Sequence, residues 1–542
     1  MKPDQPIWIT LLSAEEQGRY AGGSGPLAGQ RFAIKDNIDL AGFPTTAADP
    51  RRSSPATTSA AVVQRVLDAG AIPVGKTNLD QYATGLVGTR SPYGACHAVD
   101  SVEHVSGGSS SGSAVAVADG LVDFALGTDT AGSGRVPAAF NGIVGIKPTR
   151  GTVSTRGVVP ACRSLDCVTV FARDVRTAWS AYQVMQGFDT DDPFSREITP
   201  APVPPGIPTI GVPSRLDGLD PVHEAAWLDT VAAAGRLGHV VPVEVGPLLA
   251  VAELLYSGPW LAERMLAFGG ALDEDPAVDP VVRTIVGAAA GLTATDAFAG
   301  FERLAELARA AEATWTGIDA LLLPVTPTHP TIAEVAADPV GVNSRLGTFT
   351  NMTNLLDLCA IAFPGLPRSD GLPFGVQLLA PAGHDGVVAN IAASWCGEAP
   401  VADPSAGSTL LAVAGAHLTG EPLNGDLVGR GATLVRSTRM AAGYRMFVVD
   451  GPLPRPGVTR LPRADRDLPG PEVEVWALPT EALGGFLETI APPLGVGPVE
   501  LEDGSRVLGF LCSADGVDPE RDITGFGGWR SYLSCREPAR PA

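Results

Sequence analysis

The chain has 542 residues, of which 45% are apolar and 18% charged, with a formal net charge of −21. That length predicts roughly three or four domains, or one large core, and the apolar content excludes a disordered chain. The acidic balance argues against a nucleic-acid or anionic-membrane partner, since both need a basic footprint, and it offers no long-range steering to an anionic substrate.

The opening run from Met1 to Gly18 has too short an apolar stretch for a signal peptide, and acids follow it. No segment reaches the ~20 uninterrupted apolar residues of a membrane span, so a cytoplasmic location is expected by elimination. Arg31 to Lys35 reads as a short strand. Ala60 to Ala69 reads as a helix, apolar at 62, 63, 66 and 67, and Ala71 to Val74 as a buried strand. Gly75-Lys76-Thr77-Asn78 follows directly. A lysine at the end of an apolar strand is open to desolvation, which disfavours its charged form and lets it act as a base. The commoner fate of a lysine is to lay its stem along apolar surface and keep its ammonium in water.

Next comes Gly107-Gly108-Ser109-Ser110-Ser111-Gly112-Ser113, from which a helix runs over Ser110 to Ala118. The apolar helix close behind argues against a flexible linker, and the lack of a lysine after the last glycine argues against a phosphate loop. Leu121 to Leu126 is strand-like and leads into Gly127-Thr128-Asp129-Thr130-Ala131-Gly132-Ser133-Gly134-Arg135-Val136-Pro137. Small residues before Ser133 let successive N–H groups turn toward one point beside a serine hydroxyl, as an oxyanion hole requires. The same run also serves as a plain glycine turn with a capping serine.

Further on, Thr209 to Val212 reads as a strand and Val222 to Leu237 as a helix. Tyr256 and Arg264 lie in a helical region eight residues apart, a little over two turns, and so roughly on one face. A guanidinium there can clamp a carboxylate bidentately, although spacing alone favours a core tyrosine and a surface arginine. Asp296 to Trp315 is a long amphipathic helix, Asp319 to Leu323 and Gly375 to Leu379 are strands, and Val387 to Ser394 is a helix. The alternation predicts an α/β sheet with helices on both faces.

Gly397 to Ser408 reads as a linker between residues 1–396 and a second domain at 409–542. Strand-like runs dominate beyond it: Leu410 to Ala414, Arg445 to Val449, Val473 to Leu478 and Arg506 to Cys512. That domain is expected to be compact, mainly β with some helix, and no fixed-period repeat is visible. The seven cysteines are scattered without a CxxC pair, so buried reduced thiols are expected and a metal site is not.

Taken together, the GKTN segment, the GGSSSGS loop and the GTDTAGS turn resemble the amidase signature family over roughly Gly29 to Ser394. The resemblance implies a mixed β-sheet flanked by helices and a Ser-Ser-Lys relay without cofactor. In it, Ser133 is the nucleophile, Ser109 the bridging serine behind a cis Gly108–Ser109 peptide, and Lys76 the terminal base. Thr130, Ala131 and Gly132 supply the oxyanion N–H groups. Ser111 departs from the glycine of many members, with no disturbance of the relay expected.

Further segments resemble the allophanate hydrolase branch: YSGPWLAER at 256–264, PVTPTHPT at 324–331, and Asn343 to Cys359. In the last domain, GAHLTGEPLN at 415–424, Glu472 to Trp476 and ITGFGGWR at 523–530 resemble that branch's appended α+β domain, which is like the γ-glutamylcyclotransferase fold. The resemblance implies hydrolysis of allophanate to ammonia and N-carboxycarbamate, ending as ammonia and carbon dioxide, with Tyr256, Arg264 and the backbone near Gly85 holding the substrate. It also implies a homodimer and coupling to a urea carboxylase. His417 is a candidate for the later decarboxylation, or a hydrogen-bonded structural histidine. The rival expectations are a general amidase, a non-catalytic scaffold and an amidotransferase-type subunit.

Overall fold

The computed structural model describes residues 5–204, 207–271, 277–402, 408–451, 454–460 and 468–535. The chain divides into two compact units, Met1–Thr199 with Ile207–Val401, and Pro200–Gly206 with Ala402–Ala542. This division falls within the 397–408 stretch expected as a linker, of which 403–407 lie outside the described residues, as do 1–4 of the opening run. Among the described residues no single helix is long and apolar enough to cross a membrane.

The first unit is built on an eleven-stranded sheet. Its strands are β1 (Trp8–Leu11), β2 (Arg31–Lys35), β3 (Ile72–Thr77), β4 (Phe124–Asp129), β5 (Val144–Lys147), β6 (Cys167–Ala172), β7 (Thr209–Pro213), β8 (His239–Val243), β9 (Ala320–Pro324), β10 (Cys359–Pro364) and β11 (Gly375–Ala380). The order across the sheet is β1-β3-β2-β4-β6-β5-β10-β11-β9-β7-β8. The pairing is mixed: β2 runs parallel to β3 and β4, whereas β4–β6 and β10–β11 are antiparallel. Strands β4, β6, β9 and β11 are buried along their whole length, so they lack the apolar–polar alternation of a half-exposed strand.

Three parallel strands, β3, β2 and β4, end together. Across them Ile34 pairs with Lys76 and with Leu126, and Lys35 pairs with Thr77. Their carboxyl ends therefore bring Lys35, Thr77 and Asp129 to one edge, where the loops of an α/β sheet build sites. Helix α1 (Ser111–Ala118) packs behind this edge, and all of it but its last residue is buried, as its apolar circumference demands.

Two boundaries differ from expectation for visible reasons. The strand expected at Leu121–Leu126 starts later because α1 ends in a left-handed Gly120 (φ 71°), with Leu121 N–H bonding back to Ala116 O at 2.9 Å. The strand then runs through Gly127-Thr128-Asp129, so only residues 130–135 form the turn. The helical region carrying Tyr256 and Arg264 is two helices, Gly246–Ser257 and Trp260–Phe268, broken at Gly258-Pro259. The one-face spacing argument therefore does not apply to that pair.

The second unit contains a five-stranded sheet of β12 (Ser408–Val413), β13 (Thr433–Arg439), β14 (Glu472–Pro479), β15 (Leu494–Glu500) and β16 (Arg506–Cys512), in the order β13-β14-β12-β16-β15. Leu411, Val413, Val475, Trp476 and Phe486 are in its core. Five of the seven cysteines are buried and none forms a disulfide, but Cys396 and Cys535 are exposed, contrary to expectation.

Candidate active site

Lys35 leaves the end of β2 wholly buried, and its Nζ donates to Ser109 Oγ at 2.7 Å and to Thr128 Oγ1 at 2.8 Å. Burial pushes this ammonium down to about 7; the carboxylates of Asp80, Asp166 and Asp129 oppose that, and Arg264 adds to it. A lysine so placed exchanges its proton near neutrality.

Ser109 follows a cis peptide from Gly108, as expected. Gly108 N–H donates to Leu86 O at 2.9 Å, and Ser109 O accepts from Asp80 N–H at 3.1 Å. A Cβ at Gly108 would collide with the Asp80 carboxylate and Gly88 nitrogen, so only glycine fits. Ser111, the departure from glycine, is buried and reaches Asn78 O at 3.4 Å without touching Lys35 or Ser109 through its hydroxyl.

Ser133 sits on the turn between β4 and helix α2 (Val136–Phe140). Asp129 shapes that turn: its carboxylate accepts from Gly132 N–H at 2.8 Å and Gly134 N–H at 3.0 Å, and pairs with the wholly buried Arg135 at 3.0 Å. Burial would raise Asp129, but the charge and hydrogen bonds of Arg135 prevail and hold it below the usual carboxylate range. Arg135 is satisfied further by Thr353 Oγ1, Gln377 Oε1 and Thr350 O. Of the three expected oxyanion donors, Gly132 is therefore already committed to Asp129. The N–H groups of Thr130, Ala131 and Ser133 have no hydrogen-bond partner among the described residues. The Thr130 side chain donates to the buried Asp166 at 2.5 Å.

Lys76, expected to serve Ser109, does not touch it. Its Nζ lies 2.8 Å from Asp36 Oδ1 and donates to Pro44 O at 3.0 Å and Thr45 Oγ1 at 3.1 Å. The reason is the parallel register: Lys76 lies beside Ile34, one residue short of Lys35, and Lys35 is the lysine that reaches Ser109. The contact with Ser109 expected of Lys76 is thus made by Lys35. The signal was present, since Lys35 also ends an apolar strand.

Thr84 and Gly85 join the remaining residues. Ser133 Oγ donates to Gly85 O at 3.4 Å, and Arg264 Nη1 donates to Thr84 Oγ1 at 3.1 Å. Arg264 is 2% exposed, yet no carboxylate pairs with it among the described residues. Tyr256 is half-buried against the apolar cluster of Leu248, Val251 and Leu255, and its hydroxyl makes no hydrogen bond among the described residues. Ser109 and Ser133 are not hydrogen-bonded to each other here.

In the second unit, His417 lines a cavity of about 230 Å³ together with Asp426, Arg455 and Phe510. Its ring stacks on Phe510 at 5.2 Å and meets Phe486 edge-on at 5.4 Å. Burial holds the imidazole below its ordinary value; Asp426 opposes that and Arg455 adds to it. Asp426 and Arg455 were not anticipated, because this cavity gathers residues from 413 to 510 that no local motif links.

Comparison with known proteins bears on both units. The amidase family matches residues 10–388, and the allophanate hydrolase C-terminal domain matches residues 409–534. Urea amidolyase of Saccharomyces cerevisiae is 39% identical over 98% of this chain, which covers 31% of that protein. This chain therefore spans about a third of the length of that relative. The structure of Kluyveromyces lactis allophanate hydrolase aligns with a TM-score of 0.83 and 38% identity, over 98% of this chain and 94% of that one. A glutamyl-tRNA(Gln) amidotransferase subunit from Symbiobacterium thermophilum is 36% identical, over 66% of this chain and 80% of that protein.

Proposed function

Since this chain belongs to the amidase family and carries an allophanate hydrolase C-terminal domain, we propose that it hydrolyses allophanate with a Lys35–Ser109–Ser133 relay. The observation that carries the substrate reading is the buried Arg264, which has no carboxylate partner among the described residues and is tied to Thr84 beside the Gly85 that meets Ser133. A buried cation without a directly paired carboxylate suits a substrate that brings one. Allophanate carries a carboxylate one nitrogen away from its amide carbonyl.

Neutral Lys35 takes the Ser109 proton while Ser109 takes that of Ser133, and Ser133 Oγ attacks the amide carbonyl. The oxyanion is met by the free N–H groups of Thr130, Ala131 and Ser133. The relay returns a proton to the leaving nitrogen, and ammonia departs. Water, activated by the same relay, then opens the Ser133 ester and releases N-carboxycarbamate. That product loses carbon dioxide and ends as a second ammonia and carbon dioxide. We assign Tyr256, which packs against the apolar cluster that includes Ala131, to the substrate as well.

In the second unit His417, with Arg455 and Asp426 lining the same cavity, suits binding a small carboxylated product and exchanging a proton with it. We assign the decarboxylation to this cavity, in a fold of γ-glutamylcyclotransferase type. Likeness to a segment of urea amidolyase supports coupling to a urea carboxylase. The test is ammonia release from allophanate beside biuret and uncharged amides. Selective turnover of allophanate is expected; equal or better turnover of uncharged amides would favour a general amidase.

A further inference from the structure

The buried ion pair of Lys76 and Asp36 has no part in the proton relay, yet it lies between the two halves of the site. Both side chains are wholly buried. A buried pair is a poor stabiliser compared with apolar residues of equal volume, because desolvating two ions offsets most of their attraction. Its geometry says more than its energy. Asp36 directly follows Lys35. Its N–H donates to Thr77 O at 3.1 Å, its carbonyl accepts from Ala47 N–H at 2.8 Å, and its Oδ2 accepts from both the N–H and the hydroxyl of Thr46. Lys76 ties the same carboxylate to Pro44 and Thr45. The pair thus fastens the end of β2 to the 44–47 loop.

That loop supports the other half of the site. Ala47 and Ala48 have positive φ (50° and 59°), as do Tyr82 and Ala83 (52° and 53°), a region side chains rarely adopt. Ala47 O accepts from Tyr82 N–H at 2.9 Å, and Ala48 O accepts from Gln81 Nε2 at 2.9 Å. Residues 81–83 lead straight into Thr84 and Gly85, which hold Arg264 and meet Ser133. Two strained segments lean on each other, and Lys76 anchors the first.

We infer that Lys76 is a positioning residue: through Asp36 and the 44–47 loop it holds Lys35 and the Thr84–Gly85 segment in the spacing the reaction needs. This rests on Lys35 being the relay base, and a Lys35→Met arm tests that separately. The experiment compares kcat/KM for ammonia release from allophanate with the melting temperature of the full chain. Lys76→Met leaves Asp36 buried and unpaired, so both should fall. Lys76→Met with Asp36→Asn removes both charges, so the melting temperature should recover toward the parent's while kcat/KM stays at least ~10-fold down. Its acid limb should not move, because the burial of Lys35 and the charges of Asp80, Asp166, Asp129 and Arg264 that act on it are untouched. Asp36→Asn alone leaves Lys76 buried and unpaired, so it too should lower both, and its kcat/KM measured well below its own melting temperature stands in if the double variant does not fold. Parental kcat/KM in a folded double variant, or kcat/KM that follows the melting temperature through the series, would overturn the inference. Turnover by Lys35→Met would instead overturn the relay on which it rests.

Discussion

Lys35 Nζ lies 2.7 Å from Ser109 Oγ, and Thr128 Oγ1 holds the same nitrogen from the other side at 2.8 Å. Two short contacts on a wholly buried amine leave it little freedom, so its orientation toward Ser109 belongs to the resting fold. Ser133, by contrast, rests on the Gly85 carbonyl and must turn toward Ser109 for the relay to close.

Lys35→Met and Ser109→Ala should each lower kcat by roughly 10³–10⁴-fold, and the double variant should lose little more, because residues acting as one relay are not additive. Single-turnover ammonia release measures this. Multiplying losses would show that the two act independently.

The charge of Lys35 predicts the pH dependence. Burial brings its pKa from 10.5 to about 7, and the proposed relay needs the neutral amine. Activity should therefore rise with pH through about 7 and level off above it, with kcat/KM at pH 5.5 about 30-fold below the plateau. The sign for stability follows from the same shift. Between about 7 and 10.5 the unfolded chain binds a proton that the folded chain lacks, so stability from this group rises with pH across that window. A flat kcat/KM profile between pH 5.5 and 8 would exclude Lys35 as base.

Arg264→Lys should reduce kcat/KM for allophanate by about 10–100-fold, mainly through KM, since a point charge replaces a planar fork. An uncharged amide should be far less affected. Equal losses for both substrates would make Arg264 structural.

His417→Ala should leave the first ammonia unchanged and slow the release of carbon dioxide relative to it, because the cavity that His417 lines lies in the second unit. A rapid time course of both products checks this. Identical ratios in parent and variant would remove the second unit from the chemistry.

Much of this site is readable from composition along the chain, and its failures have local causes. The two serine loops are legible because only small residues allow the Gly108 and Gly132 backbones to approach Asp80 and Thr350 so closely. The lysine is not, because Lys35 and Lys76 both end apolar strands that pair in parallel, and a one-residue difference in register decides which reaches Ser109. Periodicity misled at Tyr256 and Arg264, where Gly258-Pro259 was the overlooked break. The commitment of Gly132 to Asp129 depends on how the turn closes, which spacing does not encode.

The most direct measurement is ammonia release from allophanate by the parent and by Ser133→Ala, with folding of both followed by thermal unfolding. The buried Ser133 hydroxyl is small, and its one hydrogen bond among the described residues is a long 3.4 Å contact, so the variant should unfold within a few degrees of the parent. Loss of the nucleophile should leave no enzymatic ammonia release above the uncatalysed rate. A folded Ser133→Ala protein that turns over allophanate at the parental rate would contradict the account.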